Sequence, residues 1–377
     1  MFKLDQQAYF KDLEHIINID SPSSYPEGNQ KIIDFFANKF EVLGWITDIT
    51  TPSTESGPCL VATNRKSENY DIVMIGHVDT VFPVGTVQER PFKISDNIIT
   101  GPGVEDMKSG TLFMYYLAKV FTDNNLLQNA NICIIINSDE EIGSKHSRPI
   151  IEEIAKKSKY ALVFESADKN GRMTKGRKGI GRYFVNFKGI AAHSGANPEK
   201  GASAVNEFLH WGSKFTQLHN LSEGTCINIG VVHGGTAPNV IAEEVNIEID
   251  VRITKMEPVR QIESLIQELQ ASPQNPKVTI TTKGGITRPP MVPTDKSETL
   301  CSLFVQTAQE LNLPPAEFQS VGGGSDANLT AAVGTTSIDG LGPTGDNSHS
   351  DKEYTLLDSY EPKFKLLAHV INKLIKQ

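Results

Sequence analysis

Seven acidic and imidazole residues stand at the ends of apolar runs or in the loops after them: His77, Asp79, Asp106, Glu140, Glu141, Glu165 and, late in the chain, His349. The stretch Asp71–Thr80 anchors the set. An apolar run of strand type, Ile72 to Ile75, ends in Gly76 and delivers His77 and Asp79 two residues apart. If the strand runs on to Asp79, the two side chains share one face at its C-terminal end. Ligand sites of open α/β sheets lie at that end. A neutral imidazole binds a metal through one nitrogen, while a nearby carboxylate holds the other and fixes the tautomer. Taken alone, a His-x-Asp pair is more often a polar strand end, so the other residues decide.

Three or more carboxylates packed together repel unless a cation compensates. Two metal ions sharing one carboxylate would neutralise the set, and oxygen plus imidazole ligands suit zinc, cobalt or manganese. The adjacent pair Glu140-Glu141 allows a division of labour: one carboxylate binds metal while its neighbour stays a proton carrier. A metal ion lowers the pKa of the water it binds to about 7, and a nearby Glu then takes the proton. The bland alternative is a solvated rim of loop carboxylates.

The elements that must position these residues read as α/β. Helical spacing marks residues 6–18 and a second helix through Ile32, Ile33, Phe36 and Phe40, stopped at Gly44. Strands are expected near 59–63 and 71–77, with a loop and hairpin over 81–100. A helix is expected over about 109–122. The continuous apolar run Ile132–Ile136 fits a strand buried on both faces. A helix over 147–157 and a short strand from Ala161 to Phe164 follow, so the sheet is expected to be sandwiched by helices. The texture changes near Gly176. Strands near 182–188, 226–233, 243–252 and 277–283, with helices near 201–218 and 257–270, give the β-α-β-β-α-β order of a ferredoxin-like sandwich. The α/β pattern resumes after Arg288-Pro-Pro. The expected fold is therefore a catalytic α/β domain, discontinuous over 1–177 and 289–377, with an inserted ferredoxin-like α+β lid and dimerisation domain over 178–288.

The totals set limits. A chain of 377 residues suggests two domains. With 38% hydrophobic and 21% charged residues it is of the soluble globular class. A net charge of -9, from 36 basic and 45 acidic residues, disfavours nucleic acid and anionic membranes as partners. Cys59, Cys133, Cys226 and Cys301 are widely spaced, which reads as free thiols in a reducing compartment. No signal pattern opens the sequence, so the expected localisation is cytoplasmic. Gly322-Gly-Gly lacks a following Lys-Ser/Thr, and Gly176-Arg-Lys-Gly-Ile-Gly has the wrong order for a dinucleotide fingerprint, so neither reads as a phosphate loop.

Six segments carry a family resemblance. They are His77-Val-Asp79-Thr, Gly101-Pro-Gly-Val-Glu-Asp106-Met-Lys, Ser138-Asp-Glu140-Glu141-Ile-Gly, Phe164-Glu165-Ser-Ala-Asp, Ala192-His193-Ser-Gly and Asn347-Ser-His349-Ser-Asp-Lys-Glu. In this order they resemble the co-catalytic dinuclear zinc exopeptidases and deacylases. That family includes glutamate carboxypeptidase, acetylornithine deacetylase and succinyl-diaminopimelate desuccinylase, and the likeness is greatest to the glutamate carboxypeptidase branch. The resemblance implies two zinc ions per subunit, with cobalt or manganese as substitutes. Asp106 would bridge them, His77 and Glu165 would complete one site, and Glu141 and His349 the other. Asp79 would orient His77, and Glu140 would be the general base. His193, from the inserted domain, would stabilise the oxyanion, in dimeric relatives across the subunit boundary. A homodimer through that domain is implied.

Substrate contacts follow from the same resemblance. Asn239, in Gly234-Gly-Thr-Ala-Pro-Asn239-Val-Ile, matches a lid segment, although Ala242 stands where relatives often have Pro. Arg288 matches the arginine that clamps the substrate's terminal carboxylate, for which bidentate pairing is the physical reason. Gly323 lies in a Gly-rich loop lining the pocket, and Arg172 near a basic residue that meets the substrate side chain, which implies a preference for acidic side chains. The substrate would be a small peptide or N-acyl amino acid. The expected function is hydrolysis of an amide bond beside a free carboxylate. The alternatives are a biosynthetic deacylase of the acetylornithine or succinyl-diaminopimelate type and a non-catalytic metal-binding protein of the same fold.

Overall fold

The computed structural model describes residues 2–376. The chain forms two compact units. The first comprises the chain up to Gly176, Pro293–Val321 and the chain from Ser325 onward. The second comprises Arg177–Val292 and Gly322–Gly324.

A six-stranded mixed sheet organises the first unit, in the order Ile46–Thr50, Cys59–Thr63, Ile132–Asn137, Tyr70–His77, Ser158–Val163, Thr336–Ile338. Tyr70–His77 lies at its centre, parallel to both neighbours. Every residue of Ile132–Asn137 and all from Ile72 to His77 are buried. Continuous apolar runs are what such doubly covered strands require. Helices Pro26–Val42, Ser109–Asp123, Arg148–Lys156 and Asp295–Glu310 pack against the sheet, and Tyr360–Leu374 packs on two of them.

Gly110 explains one close approach that matters for the site. A Cβ there would sit 1.8 Å from the carbonyl oxygen of Phe164. Only glycine lets the start of helix Ser109–Asp123 come this near the chain that carries Glu165. The Thr111 hydroxyl also donates to the carbonyl of His77, 2.8 Å away. A second, small sheet runs Gly345–Asp346, Tyr354–Leu356, Ile98–Thr100, Lys93–Ser95. It draws the loop with His349 to the loop with Asp106, because Tyr354 pairs with Thr100.

The second unit has a four-stranded antiparallel sheet in the order Cys226–Gly234, Glu244–Ile253, Gly179–Lys188, Thr279–Arg288. Helices Ala204–Phe215 and Glu257–Ala271 complete the ferredoxin-like order. Strand alternation buries Tyr183, Val185 and Phe187 together with Val245, Ile247, Ile249 and Val251, against Trp211, Phe215, Ile262 and Ile266.

Several elements depart from expectation. Strand Ile46–Thr50 is an exposed edge with Ile46 and Ile49 facing solvent, so it shows no apolar run. The last strand of the second unit extends to Arg288, beyond the expected end at 283. Gly284 there has φ 100° and lies against the carbonyl of Arg182, a place for glycine alone. The short strands Phe318–Val321, Thr336–Ile338 and Tyr354–Leu356 carry too few residues for a periodic signal. No helix among the described residues is long and apolar enough to cross a membrane.

Candidate metal centre

His77 ends the central strand and is buried, with 1% of its surface exposed. Its Nδ1 faces the backbone oxygen of Asp79 at 3.0 Å and the Asp79 carboxylate at 3.3 Å. The two acceptors of Asp79 keep a proton on Nδ1, so a metal that displaces the proton on Nε2 would find its lone pair there. Nε2 lies 3.0 Å from Asp106 Oδ1 and 3.7 Å from Glu165 Oε1. On the other side of Asp106, His349 Nε2 is 3.0 Å from Asp106 Oδ2 and 3.1 Å from Glu141 Oε2. Two donor groups result, His77–Asp106–Glu165 and Asp106–Glu141–His349, with the donor atoms in each within 4.8 Å of one another. Asp106 belongs to both.

The electrostatics fit a cation at each group. Burial raises the pKa of Glu165 well above the usual carboxylate range, and repulsion from Asp106 adds to it. Burial and Asp106 also raise Glu141. Burial opposes charge on His77, but hydrogen bonds to Asp106 and Asp79 outweigh it and raise its pKa. His349, bonded to Asp106 and Glu141, is pushed up to about 11. Burial works against the Asp106 anion, yet the two histidines hold its pKa low. Protonated histidines thus compensate the carboxylates in the free protein. Divalent cations would take over that work on the same donors, two imidazoles and three carboxylates of the kind zinc, cobalt and manganese accept.

Asp79, with no exposed surface, does more than face His77. Its carboxylate accepts the Ser23 hydroxyl at 2.6 Å and the backbone N–H groups of Glu140 and Glu141 at 3.2 and 3.1 Å. One side chain therefore fixes both a histidine tautomer and the turn Glu140–Ile142. Glu141 enters a donor group and Glu140 enters neither.

Several supporting residues escaped the sequence reading. The Glu353 carboxylate accepts the N–H groups of Gly103, Glu105 and Asp106 at 3.0, 2.8 and 3.0 Å, gripping the loop that carries Asp106. Glu105 receives the Ser348 hydroxyl at 2.5 Å, beside His349. Burial, then repulsion from Asp106, pushes Glu105 up to about 8. The buried Lys108 ammonium donates to the carbonyls of Ile16 and Ile19, and burial brings its pKa down to about 7. Glu353 and Lys108 stood inside recognised segments, which was the only available signal. Ser23 had none.

His193, Asn239, Arg288 and Gly323 belong to the second unit. His193 pairs with Val240, and Ser194 donates to the carbonyl of Asn239 at 3.0 Å, so that unit brings His193 and Asn239 together. Nδ1 of His193 accepts the N–H groups of Gly195 and Ala196, both at 3.1 Å. The neutral ring therefore carries its proton on Nε2. Arg288 is buried at the end of its strand, and the Gly323 carbonyl accepts from Arg177 at 3.2 Å. Arg172, in the first unit, is held by Asp168, with Nε at 2.9 Å and Nη2 at 2.5 Å from one carboxylate oxygen.

Residues 73–373 match the Peptidase family M20/M25/M40. The chain belongs to this family. It is a metal-dependent hydrolase of amide bonds. Carboxypeptidase G2 of Pseudomonas sp. (strain RS-16) is 27% identical over 377 residues, covering 98% of this chain and 90% of that protein. Acetylornithine deacetylase of Vibrio vulnificus (strain CMCP6) is 27% identical over 247 residues, covering 62% and 63%. The crystal structure of aminopeptidase PepT from Bacillus cereus ATCC 10987 superposes with a TM-score of 0.82 at 22% identity, over 98% of this chain and 99% of the other. That similarity shows the shared fold.

Proposed function

We propose that this protein hydrolyses the amide bond beside a free carboxylate in small peptides or N-acyl amino acids, in the manner of a glutamate carboxypeptidase. The observation that carries the reading is the pair Glu140-Glu141. Their backbone is pinned by Asp79, yet Glu141 joins a metal-donor group and Glu140 does not. No metal-holding duty accounts for Glu140, and a proton carrier beside a metal pair is what hydrolysis needs.

His77, Asp106 and Glu165 would hold one divalent ion and Asp106, Glu141 and His349 a second, zinc foremost with cobalt or manganese as substitutes. When bound, such ions polarise a carbonyl and make water more acidic. Asp79 keeps His77 in the metal-binding tautomer. Glu140 takes the proton of the attacking water and returns it to the leaving amine. His193, with its proton on Nε2, donates to the oxygen that gains negative charge. Arg288 pairs with the substrate's terminal carboxylate, and Asn239 and Gly323 line its path. Arg172, already engaged by Asp168, is left out of the substrate contacts. The second unit forms a homodimer through its edge strand Cys226–Gly234 or helix Ala204–Phe215, with His193 serving the partner's site. The four free thiols suit the cytoplasm.

The test is a hydrolysis panel of benzoyl-glutamate, benzoyl-leucine, alanyl-glutamate, acetylornithine and succinyl-diaminopimelate, with and without chelator. The reading expects the glutamate-terminated substrates to turn over fastest and chelation to abolish activity. Preference for acetylornithine or succinyl-diaminopimelate would favour the deacylase reading, to which the Vibrio relative belongs. Glu140→Ala is expected to remove activity while metal content and fold persist. Retained activity would overturn the assignment of Glu140.

A further inference from the structure

The Gly-rich segment Gly322–Asp326 reads from sequence as a pocket-lining loop, but its last residue does something else. Asp326 has 2% of its surface exposed. One carboxylate oxygen accepts the side-chain amide of Asn137 at 2.5 Å, and the other accepts the Ser144 hydroxyl. Asn137 ends strand Ile132–Asn137, and Ser144 follows the turn Glu140–Ile142 and Gly143. Both are fully buried. One side chain therefore ties together the two ends of the segment that presents Glu140 and Glu141.

Two further carboxylates grip the same segment. Asp79 holds the N–H groups of Glu140 and Glu141 from one side. Asp139 accepts the N–H groups of His146 and Ser147 and the Ser147 hydroxyl, at 2.7, 3.1 and 2.5 Å. Internal bonds, Gly143 N–H to Glu140 and Ser144 N–H to Asp139, both at 2.7 Å, close the turn. Asp79 holds the turn itself, and Asp139 closes residue 139 onto 146 and 147. Asp326 alone among the three joins the strand end Asn137 to Ser144 beyond the turn.

We infer that Asp326 is a positioning residue for hydrolysis: by closing Asn137 and Ser144 onto one carboxylate, it holds Glu140 at the place where a proton must be taken and returned. It touches no substrate and acts through Glu140, so the inference rests on Glu140 being the proton carrier. A network of this kind, satisfied throughout, specifies one conformation. A displacement of about 1 Å in a proton carrier lowers turnover by about 100-fold.

The experiment uses the metal-loaded enzyme and the fastest substrate of the panel above. The variants are Asp326→Ala, Asp326→Asn, Ser144→Ala and Glu140→Ala. Ser144→Ala removes a single hydroxyl and keeps the test open if Asp326→Ala folds poorly. The expected result is a fall in kcat of about 100-fold for Asp326→Ala and about tenfold for Ser144→Ala, with KM within about twofold. Asp326→Asn, which keeps one acceptor, recovers part of the loss. Amide hydrogen exchange of residues 138–146 speeds up in Asp326→Ala while the neighbouring strand stays protected. In the Glu140→Ala background, Asp326→Ala lowers the residual rate less than twofold. Unchanged kcat in Ser144→Ala and Asp326→Asn, or the same fold-loss with and without Glu140, overturns the positioning role alone. High activity in Glu140→Ala itself removes the proton-carrier reading, and the inference with it.

Discussion

Glu353→Ala tests how far the Asp106 loop depends on one distant carboxylate. The wild-type side chain is 2% exposed and accepts three backbone N–H groups. Each donor left unsatisfied in a buried place costs about 1–3 kcal/mol, so the gross loss is about 3–9 kcal/mol. Burial of the carboxyl, which with these bonds and Asp106 nearby leaves its pKa raised from 4.5 to about 7, offsets about 3 kcal/mol of that. The net loss is then about 3 kcal/mol, which for a unit of this size lowers the melting temperature by about 6–12 °C. The loop also carries the carboxylate shared by both donor groups, so metal affinity is expected to fall about 10–100-fold. Glu353→Gln is expected to lie between, since its carbonyl can still serve Glu105 and Asp106 while its amide opposes the N–H of Gly103. Thermal melts with and without chelator read the first effect, and zinc competition against a chromophoric chelator reads the second. An alanine variant that melts within 1 °C of wild type and binds zinc within twofold would refute the reasoning.

Two other perturbations separate bystanders from participants. Burial lowers the pKa of Lys363 from 10.5 to about 8, only partly countered by Asp168. Its folded value lies below its unfolded value, so the unfolded chain binds more protons between pH 8 and 10.5 and stability rises with pH across that window. Below pH 8 the full penalty, about 3 kcal/mol, applies. Lys363→Met is therefore expected to raise the melting temperature at pH 7 by several degrees and to lose that gain by pH 10.5; no gain at pH 7, or an equal gain at both, would contradict it. Arg172→Ala is expected to leave the preference between glutamate- and leucine-terminated substrates within twofold of wild type, because Asp168 already holds the guanidinium; a tenfold shift in relative kcat/KM would show that Arg172 meets substrate.

What could be read from sequence follows from the physics of each part. Ile72–Ile75 and Ile132–Ile136 announced strands because a strand covered on both faces must be apolar throughout. Residues 243–252 announced a half-exposed strand because one face alternates with the other. Strand Ile46–Thr50 announced nothing, since a solvated edge needs no apolar pattern. Carboxylates and imidazoles at strand ends suggested a cation, and the resemblance of six segments in order is what assigned His77, Asp106, Glu141, Glu165 and His349 to two groups. Glu353 and Asp326 were not legible, because they accept from backbone N–H groups, an amide and a hydroxyl, and Ser23 was not, because it donates to a buried carboxylate. Any acidic or hydroxyl residue in the right place can make such bonds, and only three-dimensional proximity tells which one does.

Asp79 shows why the donor groups and the proton carrier form one unit. Its carboxylate meets the Nδ1 side of His77 and also the N–H groups of Glu140 and Glu141. Proton placement on His77 and the position of the Glu140–Ile142 turn therefore depend on the same two oxygen atoms. A neutral amide in their place would have to turn its N–H₂ toward a donor on one side or the other, since His77 Nδ1–H, Ser23 and both backbone groups all donate. No rotamer of an asparagine satisfies all four. A carboxylate is the one side chain of this length that accepts from every direction, and this is the reason an acid suits position 79, unexposed and among other acids.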